Sequence, residues 1–359
     1  MTELIPGSIE EAQRDLAALS RERKTVVFTG AGTKLGAPSA DVLLRTRKLD
    51  GIVDYAPSDQ VVSVEGGTTL AALQKELAKN GQRLALDPPF GAKATLGGIV
   101  AANSFGPLRA RFGSVRDLII GVSIVRADGT RAKGGGKVVK TVAGFDLPKL
   151  ICGSSGTLGL IATATFRVHP VPEAGATMLA RGLPAAGVLD LVRKMRAAQL
   201  EPVALLATRT AQGWDVAVKL EGFRAGVAQQ RDKLRDLEEA PDSLWQDHLA
   251  ALEAAPVRLK ITALPSALPQ VEAALAPLGA RLWWYPTLGL GFAAAERVAA
   301  DALGAARRAL VGGSVTVECS AAPLEKWGPP PASLQLQRAV KARFDPDNLL
   351  APGSFVGGI

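Results

Sequence analysis

Cysteine is nearly absent from this chain: Cys152 and Cys319 are the only two in 359 residues, and they share no paired spacing. That argues against a disulfide framework or a Cys-rich metal site, and it suits a reducing cytoplasm. With no Cys cluster, the chain cannot hold an Fe–S centre of its own. Long apolar runs are missing too. Nowhere do ~18 apolar residues follow one another, as a membrane span requires, and the N-terminus lacks a charged start leading into an apolar stretch and a cleavage site. The expected location is the cytoplasm, with any membrane association peripheral or through a partner. Basic residues number 42 against 34 acidic ones. Yet there is no run of five basic residues, no basic stripe interleaved with aromatics, and no nucleic-acid motif. Dispersed surface Arg and Lys account for the excess, and no nucleic-acid partner is expected.

What is present is enough sequence for two domains and a large core. Ser8-Ile9-Glu10-Glu11 reads as a capping box, with Ala12, Leu16 and Leu19 continuing a helical stripe. Residues 25–29 read as a strand that runs straight into Gly30-Ala31-Gly32-Thr33. Short strands are predicted around 42–44, 51–55 and 61–65. Thr68 is placed to cap a helix bearing Leu70, Leu73 and Leu77 that stops at Asn80-Gly81. Residues 87–117 are dense in Gly, Pro, Ala and Asn, which marks a binding segment more than an idle loop. Ala127-Asp128-Gly129 is a hairpin turn signal, and 161–168 reads as a strand.

The texture changes near Glu173. Helices are predicted near 184–199, 225–238, 266–277 and 295–310, with strands near 203–209, 214–220, 257–262, 281–285, 289–293 and 315–319. This is the pattern of an α+β domain, helices packed on one antiparallel sheet. Gly328-Pro329-Pro330-Pro331 reads as a linker before a last helix.

A strand entering Gly30-Ala31-Gly32-Thr33 invites a nucleotide, because small residues let successive N–H groups turn toward one anion. A dinucleotide fingerprint of the Rossmann kind fails: the third glycine, Gly36, comes one place late, and Ala37-Pro38-Ser39 blocks a helix, although Asp50 has the right offset for the ribose acid. A Walker A loop fails at Gly136-Lys137, which is followed by Val138.

Several motifs in order along the N-terminal half carry a stronger likeness. They are Thr29-Gly30-Ala31-Gly32-Thr33, then 64–70, then 94–104 with Ala94-Thr95-Leu96-Gly97-Gly98, then 108–113 with Asp117. Gly144-Phe145-Asp146-Leu147 and Gly153–Gly159 with Ile161 close the series, and Phe344-Asp345-Pro346 with Pro352-Gly353 stands near the end. Together they resemble the PCMH-type FAD-binding fold of the vanillyl-alcohol oxidase superfamily. Residues 113–117 and 136–147, with the short chain, resemble the FAD-binding E subunit of bacterial glycolate oxidases within it. The resemblance implies a two-subdomain FAD-binding domain over 1–172, an α+β cap with an antiparallel sheet over 173–328, and a segment, 329–359, returning to the first domain. It places FAD on Gly30, Ala31, Gly32, Thr33, Lys34 and Leu35, on Pro88, and on Ala94, Thr95, Leu96, Gly97 and Gly98. Ala101, Ala102, Asn103, Ser104 and Gly106 continue the set, and Gly153, Gly156, Thr157, Gly159 and Ile161 complete it. The Gly97-Gly98 pair is expected to let the chain pass close to the flat ring system. Lys34 is the loop's only cation, so backbone donors must meet the pyrophosphate.

The chain departs from the related catalytic D subunits, which carry a His-rich metal motif. Its two histidines, His169 and His248, have no metal-ligand spacing. His169 is expected to be structural and His248 to serve packing or the surface. Arg109 and Arg111 are the candidates for an Arg clamp on a substrate carboxylate, with ordinary ion pairing as the alternative. Lys140 and Tyr285 are the polar candidates for a base, neither compelling. Covalent flavin attachment in this superfamily often uses a His or Cys. None stands in the first loop or central segment, and Cys152 reads as an apolar core residue, so FAD is expected to be non-covalent. The implied role is the FAD-binding subunit of a glycolate or D-lactate oxidising complex, partnered by a sister flavin subunit and an Fe–S subunit. The alternatives are a self-sufficient dehydrogenase of a hydroxy acid or alcohol, a scaffold with a decayed flavin site, and, last, the UDP-N-acetylenolpyruvoylglucosamine reductase branch of the fold.

Overall fold

A computed structural model describes residues 1–34, 39–136 and 145–359. Two units emerge. The first comprises Met1–Phe105, Gly113–Val171 and Pro329–Ile359, and the second Gly106–Phe112 and Pro172–Gly328.

In the first unit the helix Ile9–Arg21 starts at Ser8, whose Oγ accepts from the Glu11 N–H at 3.1 Å. The other half of the expected capping box is altered, because the Glu11 carboxylate accepts from the Gly7 N–H at 2.6 Å instead of the N-cap amide. Its apolar stripe packs on a three-stranded parallel sheet, ordered Thr2–Leu4, Val42–Arg45, Val26–Thr29. The C-terminal segment joins this sheet through its backbone. The Val26 N–H donates to the Leu349 carbonyl at 2.8 Å, and the Ala351 N–H donates to the Val26 carbonyl at 2.8 Å.

A five-stranded antiparallel sheet lies in the same unit, ordered Ile52–Ala56, Val61–Glu65, Leu160–Arg167, Ile119–Val125, Arg131–Gly135. The last two strands are joined by the Asp128-Gly129 turn, where the Thr130 N–H donates to Asp128 Oδ1 at 2.9 Å. Helices Leu70–Ala78 and Leu96–Ala102 bury Leu70, Leu73, Leu77, Leu96, Ile99 and Val100 in the core of this sheet. The first of them is capped by Thr69 rather than Thr68: Thr69 Oγ1 accepts from the Ala72 N–H at 3.2 Å. Thr68 is buried one residue earlier, and its hydroxyl donates to the Gly51 carbonyl at 3.3 Å.

The second unit is built on an eight-stranded antiparallel sheet, which fulfils the expected α+β class. Its order is Glu238–Ala240, Ala174–Leu183, Gly213–Gly222, Ala204–Thr210, Arg281–Tyr285, Leu290–Ala295, Val257–Thr262, Ser314–Cys319. Helices Ala185–Ala197, Arg224–Lys233, Leu268–Leu275 and Ala300–Ala309 contribute Val188, Val227, Val271 and Leu303 to one core with Trp214 and Trp284. Three expectations need correction. The strand Ala174–Leu183 was not anticipated. The helix expected over 225–238 ends at Lys233, and Glu238–Ala240 pairs as an edge strand with Thr177–Leu179. The last helix of the unit starts at Ala300, because residues 290–295 are taken by a strand. Among the described residues no helix is long and apolar enough to cross a membrane.

Candidate functional site

The end of strand Val26–Thr29 delivers the first glycine loop, and Thr95 receives it. A Cβ at Gly30 would overlap the Thr95 side chain, so only glycine allows this approach. Thr95 caps the helix Leu96–Ala102, its Oγ1 accepting from the Gly98 N–H at 3.3 Å. The same helix start is stitched to residues 66–70. The Leu96 N–H donates to the Thr68 carbonyl and the Gly97 N–H to the Gly66 carbonyl, both at 2.8 Å, and the Leu70 N–H donates to the Ala94 carbonyl at 2.9 Å. Three motifs far apart in sequence therefore meet through their backbones.

The helix ends in a left-handed residue, Asn103, at φ 45°. The Asn103 N–H donates to the Val100 carbonyl at 3.1 Å and the Ser104 N–H to the Ile99 carbonyl at 3.0 Å, the pattern of a Schellman cap. The loop 153–157 completes this end. The Gly153 N–H donates to the Val100 carbonyl at 2.9 Å and the Ser155 N–H to the Ala101 carbonyl at 2.8 Å. Thus 30–34, 94–104 and 153–157 converge on the two ends of one short helix.

Not every residue of the expected cofactor set offers its side chain. Leu96, Ile161, Ala94 and Thr157 are buried, as are Pro88, Gly106, Gly156 and Gly159. Leu96 and Ile161 lie in the apolar core, which leaves only their backbone for a ligand. At Gly97 the missing side chain makes room for Gly66, whose carbonyl oxygen would stand 2.7 Å from a Cβ there. Gly98 is the exposed member of the pair, and Ala101, Ala102 and Asn103 are half-buried. In the first loop Ala31 and Gly32 are exposed, Thr33 and Lys34 half-buried, and Gly32 sits at φ +72°. Leu35, Lys140 and the rest of 137–144, within the stretch 136–147, lie outside the described residues. Phe145 is exposed, while Asp146 caps the helix Leu147–Ile151.

Two features mark this region as incomplete without a polar ligand. Among the described residues, the amides of Gly30–Thr33 donate to no other backbone or side chain. Asn103 Oδ1, Ser104 Oγ and Ser154 Oγ are buried with no hydrogen-bond partner. A buried polar atom left unpaired costs about 1–3 kcal/mol, so such atoms gathered around one helix call for a ligand or ordered water. Uncommitted amides on a glycine loop suit a pyrophosphate, and the three oxygens suit the polar edge of a flavin. The residues present fit FAD. Asn103 and Ser104 stood in the sequence set only as part of a run, and Ser154 was not in it, although its neighbour Gly153 was. Nothing local in sequence marks an oxygen as orphaned.

The clamp and base candidates are placed differently. Arg111 lies in the second unit on the short helix Arg109–Phe112, where its Nη2 is 2.9 Å from Glu201 Oε2 in an exposed ion pair. Arg109 on the same turn is half-buried and engaged. The Tyr285 hydroxyl is 2.8 Å from His248 Nε2, and both residues are buried. Burial, with Arg281 nearby, pushes the His248 pKa down to about 3, so the ring is neutral. His248 therefore serves packing and not the surface. His169 pairs Arg83 in a two-stranded ladder, and burial lowers its pKa as well, aided by Arg167 and Arg83. Among the described residues no group of three His, Cys, Asp or Glu side chains is placed to hold a metal.

Comparison with known proteins agrees with this geometry. Residues 3–135 match the family of FAD binding domains. The Glycolate oxidase subunit GlcE of Escherichia coli is 34% identical over 230 residues, 63% of this chain and 63% of that protein. A probable mitochondrial D-lactate dehydrogenase of Danio rerio is 36% identical over 177 residues, 47% of this chain and 35% of that protein. The chain thus matches less than two thirds of either relative's length. Among solved structures, alkyldihydroxyacetonephosphate synthase superposes with a TM-score of 0.73 over 98% of this chain and 77% of that one, at 17% identity, a likeness of fold.

Proposed function

Because residues 3–135 match the family of FAD binding domains, we propose that they form an FAD-binding domain of the PCMH type and that the chain is an FAD-dependent oxidoreductase subunit acting in the oxidation of glycolate, D-lactate or a similar 2-hydroxy acid. The observation that carries the cofactor part is the convergence of the uncommitted Gly30–Thr33 amides with the orphaned Asn103, Ser104 and Ser154 oxygens. When bound, FAD supplies a two-electron acceptor that can also pass electrons on singly. The loop's N–H groups would take up the pyrophosphate charge, and the buried Asn103, Ser104 and Ser154 oxygens would hydrogen-bond the polar edge of the ring. Attachment is non-covalent: neither His169 nor His248 belongs to the proposed binding set, and Cys152 packs against the apolar core of the five-stranded sheet. Domain limits at 172 and 328 and the cap role of the second unit belong to the same reading.

The likeness to glycolate oxidase subunits supports a complex in which a sister flavin subunit abstracts hydride and an Fe–S subunit accepts electrons from this chain. The state of Tyr285 supports that division of labour, since its hydroxyl is buried against a neutral His248 and is not presented to a substrate. The test is the absorption spectrum of the purified protein before and after acid precipitation, followed by anaerobic glycolate or D-lactate. Yellow protein that releases about one equivalent of FAD, and is not bleached by either acid, is the expected result. Rapid bleaching would establish a self-sufficient dehydrogenase, and failure to take up added FAD would overturn the cofactor assignment.

A further inference from the structure

Lys341 and Asp345, one helical turn apart, are buried against each other, with side chains 8% and 0% exposed and Nζ 2.6 Å from Oδ2. All three ammonium donors are used: beyond Asp345, they reach the Leu350 carbonyl at 2.7 Å and the Thr157 carbonyl at 2.9 Å. The carboxylate is equally committed, accepting from the Leu350 N–H at 2.7 Å and the Leu349 N–H at 3.0 Å. Burial presses the Lys341 pKa downward, and Asp345 opposes that pressure.

The charge attraction itself adds little to stability, since buried ion pairs replaced by apolar residues of similar volume often leave a protein as stable or more so. What the pair supplies is partners for four buried backbone groups. What a cation does, and an apolar side chain cannot, is fix the direction of a carbonyl group. Here the carbonyl that matters is remote: Thr157 is 184 residues away in sequence. Thr157 closes the turn that carries Ser154, its N–H and its hydroxyl both donating to the Ser154 carbonyl, at 3.0 and 2.7 Å. Ser154 Oγ is one of the three orphaned oxygens.

The geometry points to a strap: Lys341 is a positioning residue that holds the Ser154–Thr157 turn ready for FAD, and through Asp345 it couples flavin affinity to the docking of residues 349–351 on strand Val26–Thr29. The inference rests on the reading that this turn faces the flavin. Coupling of this kind is reciprocal, so FAD must in turn tighten the C-terminal segment.

The test uses full-length apoprotein and the double variant Lys341→Met/Asp345→Leu, which removes both charges together. Flavin fluorescence gives the FAD dissociation constant, and thermal unfolding without FAD gives the stability. The double variant is expected to bind FAD about tenfold more weakly, as loss of one charge-assisted hydrogen bond predicts. Without FAD it should melt lower than the parent while still unfolding cooperatively, because the Leu349 and Leu350 N–H groups and the Thr157 and Leu350 carbonyls lose their partners. Hydrogen exchange at residues 349–351 of the parent protein should slow when FAD is added, a readout that stands even if the variant fails to fold. Unchanged affinity in the double variant, or exchange indifferent to FAD, would overturn the strap. Ser154→Val separates the two readings. If it too binds FAD normally, the placement of the turn at the flavin is wrong; if it alone weakens binding, only the strap is.

Discussion

In the first unit, a Cβ on Gly67 would overlap the Thr46 carbonyl oxygen, and one on Gly66 would overlap that of Ile161. In the second, the largest fully buried side chains include Trp214, Trp283, Trp284, Tyr285 and Phe292, against Phe166 in the first. One unit brings its motifs together backbone to backbone, with glycine removing the obstacle. The other fills a broad sheet with bulky side chains. Close backbone contact leaves amides and carbonyls aimed at one place, which a cofactor with a pyrophosphate and a polar ring can use. Side-chain packing makes a firm core instead.

The largest effect expected from breaking this contrast is at Gly67. Gly67→Val sets a branched side chain where the Thr46 carbonyl oxygen now lies, with the Leu49 carbonyl oxygen 2.6 Å from its Cβ. Backbone cannot yield as a flexible side chain does, so the loss should exceed about 4 kcal/mol. Circular dichroism and FAD titration are the checks: the variant should lose flavin binding and cooperative melting of the first unit. A variant that folds and binds FAD like the parent would remove the claim that backbone approach specifies this unit.

A smaller effect, confined to the second unit, comes from His248. Its pKa falls from 6.5 to about 3 on folding, so the unfolded chain binds a proton that the folded chain refuses. Stability is therefore full above about pH 6.5 and is lost as pH falls toward 3. The slope approaches about 1.4 kcal/mol per pH unit from this one group. Melting temperatures at pH 7 and pH 5 should converge less in the parent than in His248→Gln, which keeps a polar group near the Tyr285 hydroxyl and cannot titrate. Parallel losses in both proteins would place the acid sensitivity elsewhere.

How far the sequence could be read follows the same division. In the first unit the ordered glycine motifs were visible because glycine is the residue that close approach demands, and strands such as Val61–Glu65 announced themselves by β-branched runs. In the second unit Val257–Thr262 and Arg281–Tyr285 were equally plain. The strand Ala174–Leu183 was hidden, since Thr177 is its only β-branched residue. It is a strand because Gly213–Gly222 and Glu238–Ala240 pair with it on both sides, which is tertiary context and not propensity. The orphaned oxygens and the Lys341 strap were hidden for a stronger reason. Each depends on segments brought together from 50 to 184 residues apart, and the individual residues look ordinary where they stand.

The smallest effect sharpens the comparison most directly, because one substitution can be made in both units. Gly226 lies exposed within the helix Arg224–Lys233, and a Cβ there meets nothing within 4 Å. Gly226→Ala should raise stability by up to about 1 kcal/mol, through helix propensity and a less flexible unfolded chain. Gly98 is also an exposed helical glycine, but a Cβ would stand 3.1 Å from the Thr95 hydroxyl that caps its own helix. Gly98→Ala should therefore gain less in the apoprotein, and it should weaken FAD binding, since the new methyl occupies the exposed face of the flavin segment. Thermal melts with and without FAD separate the two: FAD should raise the melting temperature of Gly226→Ala as much as that of the parent, and raise that of Gly98→Ala less. Equal FAD-dependent shifts would mean that the exposed face of Leu96–Ala102 is free surface, and the site would have to be sought at the helix ends alone.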